Sequence, residues 1–395
     1  MEPQTVGDAT PHPSARKLRS LECLVKVQLQ AAIWFAESTL TRQETKSTIG
    51  EQMAKQAKAI VPLFEEEDSS APKLIGIARI AADAESLREG HNVEYFTLGA
   101  RSLLSRVISN RNLPFAWAIN PYRGCEFACK YCYARYTHEF MELRDGVDFE
   151  RKIFVKQQAA ALLQSDLKKV KLGEQIAIGT ATDPYQPAER RFEITRAVLE
   201  ELARHSGLEI GIVTKSNMVT RDAEILRRIG ERNQIFVNMT VTTVDVELAR
   251  KLEPRAPRPD LRLEAVRQLN LAGVDAGVIC APVLPEITDH PRDLEALVKA
   301  ASEVGAKYIY ANPLFLKPCS AAVFFPFLEE HFPALVQIYK KRYADRAFLA
   351  EGYGQRLSQL MTALRRKYKF GGSYASRAER THAVQQSDPQ LELFR

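Results

Sequence analysis

The sequence predicts an α/β protein built on a partial (β/α)6 barrel of the TIM type, with a helical extension before it and a helical segment after it. Three observations carry that reading. From about residue 116, short and nearly continuous apolar runs alternate with amphipathic stretches of helical period. Such runs are what strands buried on both faces look like. The stretches between them are long enough for helical crossovers, which favours a parallel sheet wrapped by helices. The segments that follow the runs are rich in glycine, proline, hydroxyls and charge. That is how the C-terminal mouth of a barrel reads when it carries a site.

In chain order, residues 1–17 hold three prolines, Gly7 and small polar residues, a composition that favours disorder. Helical periodicity follows through about Ala59, and "EEEDSSAPK" (Glu65–Lys73) reads as a polar linker. Residues 1–73 are thus an N-terminal extension with an amphipathic helix. The segment from Leu21 is broken by Glu22, Lys26 and glutamines, which argues against a membrane span or a signal peptide. Residues 74–115 form a mixed lead-in, with a helix expected near Gly99–Val107.

The barrel is expected over residues 116–318. Its six strands are "FAWAIN" (Phe115–Asn120), "QIAIGT" (Gln175–Thr180), "EIGIVT" (Glu209–Thr214), "IFVNMTV" (Ile235–Val241), "VDAGVICAPV" (Val274–Val283) and "KYIYANPLFL" (Lys307–Leu316). Helices are expected over Arg191–His205, Asp222–Glu231, Pro259–Ala272 and Pro291–Val304. Residues 319–378 read as a C-terminal helical region, and 379–395 as a flexible tail.

The 395 residues carry a formal charge of +6 and six cysteines. That cysteine usage does not suit a small secreted disulfide scaffold; it suits a reducing cytoplasm and a metal site. The mild basic balance permits a nucleic-acid partner without demanding one.

Three of the cysteines, Cys125, Cys129 and Cys132, lie in "GCEFACKYCYAR" (Gly124–Arg135) directly after the first barrel strand. Thiolates select zinc, copper(I) or iron–sulfur clusters. Structural zinc wants four closed ligands. The nearest further candidate, His138, reads as a surface histidine on a helix. A cubane cluster can be held by three thiolates, leaving one iron open to a non-protein ligand. The flanking Arg123, Glu126, Lys130 and Arg135 do not resemble a core segment.

The C-x3-C-x2-C spacing, with Tyr131 immediately before the last cysteine, resembles the signature of radical S-adenosylmethionine (SAM) enzymes. The resemblance covers roughly residues 90–320. "NPYRGCEFACKYCYAR" (Asn120–Arg135), "TATDPYQPAE" (Thr180–Glu189) and "TKSN" (Thr214–Asn217) look like the group related to spore photoproduct lyase, whose members are described as DNA-repair photolyase-like. One departure is Phe127, where many members of that group have histidine.

The resemblance implies a [4Fe–4S] cluster on Cys125, Cys129 and Cys132 and reductive cleavage of SAM to a 5′-deoxyadenosyl radical that abstracts hydrogen from substrate. It places Gly179, Thr180, Thr182 and Asp183 near the methionyl amino group. Lys215 and Ser216 fall near the SAM carboxylate, Thr240 near the ribose or methionine moiety, and Tyr131, Pro282 and Val283 near adenine. Each has an ordinary reading too: Asp183-Pro184 is a common turn, and Thr240 is ordinary in a strand. Cys319, after the sixth strand, is the candidate hydrogen donor by analogy with spore photoproduct lyase; a small apolar filler is the plainer reading for Cys280 and Cys319.

The chain ends "SDPQLELFR". Gln390, Leu391, Leu393 and Phe394 resemble the pentapeptide with which bacterial polymerases and repair proteins bind the DNA sliding clamp. Upstream, "YKKRYADR" (Tyr339–Arg346) and "LRRKYKFGGSYASR" (Leu364–Arg377) interleave basic and aromatic residues, a pattern suited to phosphate contact and base stacking. The leading expectation is a cytoplasmic radical SAM enzyme, lyase-like, acting on DNA and reduced by a flavodoxin- or ferredoxin-like donor. The alternatives are a radical SAM enzyme on a peptide or small molecule, or a non-catalytic metal-bearing clamp adaptor.

Overall fold

The computed structural model describes residues 74–107 and 113–370, apart from 85 and 90–92. The expected N-terminal helix, Cys23 and the QLELF tail lie outside the described residues.

Among the described residues, eleven strands form two sheets: β1 (Ser86–Glu89), β2 (Glu94–Thr97), β3 (Leu104–Arg106), β4 (Trp117–Ile119), β5 (Tyr122–Arg123), β6 (Lys152–Val155), β7 (Gln175–Ile178), β8 (Glu209–Thr214), β9 (Gln234–Thr240), β10 (Asp275–Val283) and β11 (Ile309–Pro313). The larger sheet runs β11-β10-β9-β8-β7-β4-β3. Its first six members pair in parallel, and β3 closes the edge antiparallel to β4. These six parallel strands are the six expected from the apolar runs, and they make the partial TIM-like barrel. The four expected helices form at Ile194–Leu202, Ala223–Gly230, Pro259–Leu271 and Pro291–Glu303.

Burial explains the unbroken apolar reading. Ile176, Ile178, Ile210, Ile212, Val237, Met239, Ala276 and Val278 lie in one core beneath the crossover helices. Burying an aliphatic side chain of this kind contributes about 1.5–3 kcal/mol.

Two features depart from expectation. The helix expected near Gly99–Val107 is an extended segment that becomes β3. The Asp166 carboxylate accepts hydrogen bonds from the Ser102 hydroxyl and from the backbone N–H groups of Leu103 and Leu104, at 2.7, 2.8 and 3.1 Å. Leu104 then pairs with Ile119, so a long-range partner overrides the local periodicity. The second departure is the small sheet β1-β2-β6-β5, whose short strands lie beside the cysteine segment. Its strand β5 ends one residue before Gly124 and thereby sets where the cysteine loop begins.

Beyond the barrel, helices Pro318–His331, Val336–Arg342 and Glu351–Lys367 follow β11. Phe324, Phe327, Leu328, Val336 and Tyr339 from the first two pack in one apolar cluster with Cys125, Phe127, Cys129 and Tyr131. No helix among the described residues is long and apolar enough to cross a membrane.

Candidate cofactor site at the barrel mouth

The cysteine segment leaves β4 through Asn120. The Asn120 side chain donates to Thr180 Oγ1 at 3.3 Å and accepts from the Ala181 N–H at 2.8 Å, which ties the loops after β4 and β7 together. Gly124 has φ +82°, and an added Cβ would stand 2.8 Å from the Lys152 carbonyl, so the turn requires glycine. Its carbonyl accepts from Thr182 Oγ1 at 2.5 Å and from Gln186 Nε2 at 3.1 Å. Gln186 Oε1 in return accepts the Glu126 N–H. The Glu126 carboxylate takes the Ala188 N–H at 2.7 Å and the Tyr95 hydroxyl at 3.1 Å.

The polarity of the loop suggests a segment unlike a core, yet Cys125, Glu126, Phe127, Ala128 and Cys129 are all buried. Glu126 and Arg135 are tolerated there because their charged groups are bonded. Arg135 reaches the Cys129 carbonyl and the Glu150 carboxylate, at 3.1 and 2.9 Å. Phe127, the departure from the related group, is an apolar anchor in the cluster that seats the loop.

His138 corrects an expectation. It sits on a helix, Tyr136–Glu139, but is only 1% exposed. Its Nε2 bonds the Lys152 carbonyl at 3.0 Å, and its ring stands edge-on to Phe149 and Phe154. The neighbouring β6 covers it, and burial lowers its pKa to about 4.

The three thiols lie close enough for Cys129 and Cys132 to act on Cys125, whose pKa burial pushes well up. Burial pushes Cys129 up to about 12, against the pull of Lys215. Among the described residues, no three His, Cys, Asp or Glu side chains converge as ligands of one ion. Three thiols on one short loop are soft donors of the kind that would suit an iron–sulfur cluster.

A buried polar wall backs the last cysteine. The Tyr131 hydroxyl donates to Glu253 Oε1, and Thr242 Oγ1 lies 3.0 Å from that hydroxyl and donates to the same carboxylate. Glu253 Oε2 meets Arg262 Nη1 at 2.5 Å as a charge contact without hydrogen-bond alignment. Lys215 Nζ stands 5.7 Å from the centre of the Tyr131 ring. Burial opposes its charge, but Cys129, Glu253 and Asp183 hold its pKa above the ordinary value.

The remaining expected residues fall on the same mouth in different roles. Gly179 has φ +89°, and a Cβ there would meet the Val213 carbonyl at 2.5 Å. Thr180 presents its carbonyl to the Tyr133 hydroxyl. Asp183 is turned inward: Thr214 Oγ1, the Lys215 N–H and the Tyr185 N–H all donate to it, at 2.7, 2.7 and 2.9 Å. It therefore binds the end of β8, with about one of its four acceptor positions left. Ser216 caps the next turn by accepting the Met218 N–H. Thr240 and Val283 are buried at the ends of β9 and β10, and Pro282 is half-buried beside Val283. Cys280 is sealed in the barrel core, its Sγ 3.7 Å from the Thr242 carbonyl. Cys319 is half-buried, and its neighbour Ser320 donates to the Cys132 carbonyl at 2.9 Å, so the sixth loop does reach the cysteine segment.

Residue-by-residue reading missed Glu253, Arg262, Thr242, Gln186 and Glu126. Arg262 left a signal: an arginine within an apolar helical stripe, nine positions after a glutamate. Glu253 and Thr242 left none, and Gln186 and Glu126, though inside the quoted segments, carried no stated role, because their partners lie far away in the chain.

Residues 119–299 match the model of the Radical SAM superfamily. An uncharacterized protein of Mycobacterium tuberculosis is 33% identical over 285 residues, covering 72% of this chain and 84% of that protein. A spore photoproduct lyase complexed with dinucleoside spore photoproduct superposes with TM-score 0.52 at 15% identity, covering 69% of this chain and 79% of the other. A mutant of that lyase with bound AdoMet and dinucleoside spore photoproduct gives TM-score 0.50 at 15% identity, over 64% and 74%.

Proposed function

The chain belongs to the radical SAM superfamily, whose members bind a [4Fe–4S] cluster and SAM, and on that premise we propose that it is a radical SAM enzyme whose substrate is nucleic acid. The observation that carries the cofactor reading is the cysteine segment itself: three neighbouring thiols after β4, Cys125 and Cys129 buried and Cys132 half-buried, backed by Tyr131, Glu253 and Lys215. In this reading Cys125, Cys129 and Cys132 ligate the cluster. When bound, the two cofactors supply reductive cleavage of SAM and hydrogen abstraction from a substrate.

The protein's part is to bind, orient and shield. Lys215 offers an ammonium to the SAM carboxylate. Gly179 and Thr180 present backbone and hydroxyl beside it, while Thr182 and Asp183 hold that loop in place. Tyr131, Thr240, Pro282 and Val283 form the wall against the nucleoside. The apolar cluster around Phe324 and Phe327 excludes water from the thiols. Cys319, one residue from the hydroxyl that bonds the Cys132 carbonyl, is our candidate hydrogen donor.

Nucleic acid is favoured by the basic and aromatic stretches, by the QLELF terminus, which we assign to the DNA sliding clamp, and by the dinucleoside bound in the similar structures. A flavodoxin- or ferredoxin-like donor would reduce the cluster. The test is anaerobic reconstitution with iron, sulfide, SAM and reductant, assaying 5′-deoxyadenosine with and without ultraviolet-irradiated DNA. Production stimulated by that DNA supports the reading; production without any DNA effect moves the substrate to a peptide or small molecule. No production at all rejects the enzyme.

A further inference from the structure

Lys156 follows β6, and its N–H is held by the Pro121 carbonyl at 3.3 Å, beside the connection from β4 to the cysteine segment. The residue is 7% exposed. Among the described residues its ammonium has no hydrogen bond and no ion pair. β5 runs antiparallel to β6 with Arg123 opposite Phe154, so Lys156, two residues further on, shares the face of Arg123, and the charge that acts on it is that cation. Arg123 is itself under-satisfied: Nε is buried without a partner, and Nη1 has only a 3.5 Å contact to the Thr137 carbonyl. A buried ammonium beside a half-buried guanidinium, with no carboxylate acting on either, is costly for the fold. A buried unpaired atom such as Arg123 Nε, next to an ammonium without a counter-ion, calls for a missing partner.

We propose that Arg123 and Lys156 form an anion subsite beside the cysteine segment and that its ligand is a phosphate of the nucleic-acid substrate. The proposal rests on the nucleic-acid reading above for the identity of the ligand, though not for the subsite. A guanidinium fork with an ammonium is well suited to phosphate oxygens. Its surroundings favour a nucleotide over a bare carboxylate. The Tyr136 hydroxyl lies within reach of the Arg123 charge, and Lys317 Nζ stands 3.7 Å from the centre of the Tyr136 ring. Tyr133 lies nearly parallel to Tyr136 at 6.4 Å and 20°, and Phe315 is 5.9 Å from Tyr133. Aromatic faces beside cations are how single-stranded bases and phosphates are held together. The subsite is separate from the cofactor wall: the charged neighbours of Lys215 are Cys129, Glu253, Arg262 and Asp183, none of which acts on Lys156. Burial and Arg123 lower the Lys156 pKa to about 7, as befits an amine with no counter-ion until ligand arrives.

The test compares the full chain with Lys156→Met and Lys156→Arg. Without ligand, Lys156→Met is expected to be more stable than the parent, because it removes an uncompensated buried charge. If it is less stable, the amine has a partner within the fold and the proposal falls. Inorganic phosphate is expected to raise the Tm of the parent and of Lys156→Arg, and to leave Lys156→Met unmoved. A short single-stranded oligothymidylate is expected to bind Lys156→Met about tenfold more weakly, with a log–log salt slope shallower by about 0.7. Phosphate that acts through Lys156 while the oligonucleotide fails to bind the parent leaves the subsite standing and removes the nucleic-acid reading. Oligonucleotide bound equally by parent and Lys156→Met keeps that reading and overturns the subsite. Loss of SAM affinity in place of oligonucleotide affinity also overturns it, by assigning the amine to the cofactor.

Discussion

Arg262 and Glu253 meet at 2.5 Å with side chains each 1% exposed, and the same carboxylate receives the hydroxyl of Tyr131, the residue before Cys132. A helix of the barrel wall is thereby coupled to the cysteine segment through one buried carboxylate. Arg262 also donates to the Pro257 and Thr240 carbonyls, at 2.7 and 3.2 Å, so the guanidinium organises the ends of two barrel elements.

Removing one partner of this pair should be far worse than removing both. Arg262→Met strands the Glu253 carboxylate, and denaturant unfolding should show a loss of about 3–5 kcal/mol. Replacing both by apolar residues should recover much of that loss. A double variant no more stable than the single would mean that Glu253 does not depend on Arg262.

Replacing Cys125, Cys129 or Cys132 by alanine should abolish bound iron and 5′-deoxyadenosine production, read by iron assay and chromatography. Cys280→Ala should keep both, because that thiol is sealed in the barrel core. Cys319→Ala should keep the iron and lose turnover of the true substrate; full turnover would end its assignment as hydrogen donor.

Lys215→Met should weaken SAM about tenfold, the value of one charge-assisted contact, and should leave the iron content near that of the parent. Equilibrium dialysis with SAM after reconstitution reads the first and an iron assay the second. Unchanged SAM affinity would remove Lys215 from the cofactor site.

His138 should make the fold acid-sensitive. Its folded pKa, about 4, lies below the ordinary histidine value of 6.5, so the unfolded chain binds the extra proton first as pH falls. Its contribution is fully present above about 6.5 and is lost as pH drops toward 4. His138→Phe should flatten the stability profile between those limits, as followed by Tm against pH. A profile parallel to that of the parent would show that the imidazole does not titrate with folding.

The C-terminal pentapeptide should act independently of the barrel. Leu393→Ala with Phe394→Ala should abolish recovery of the DNA sliding clamp in a pull-down and leave 5′-deoxyadenosine production intact. Equal recovery would return the tail to ordinary surface chain.

The sequence by itself determined the barrel and the location of its mouth. Strands buried on both faces must be apolar throughout, so β7, β8, β9 and β10 announce themselves locally, as do the periodic helices between them. The cysteine spacing is equally local, since one short loop carries all three thiols. Only the tertiary structure decided the surroundings of that loop. Asp183 reads as a free carboxylate until the end of β8 is seen to occupy it. His138 reads as exposed until β6 covers it, and Phe127 has no reason until the apolar cluster closes over it. Glu253 and Tyr131 are 122 residues apart, and Lys156 and Arg123 come together only where β5 pairs with β6. Hydrogen bonds and desolvated charges depend on distance in space, and local pattern carries no information about partners brought in from so far along the chain.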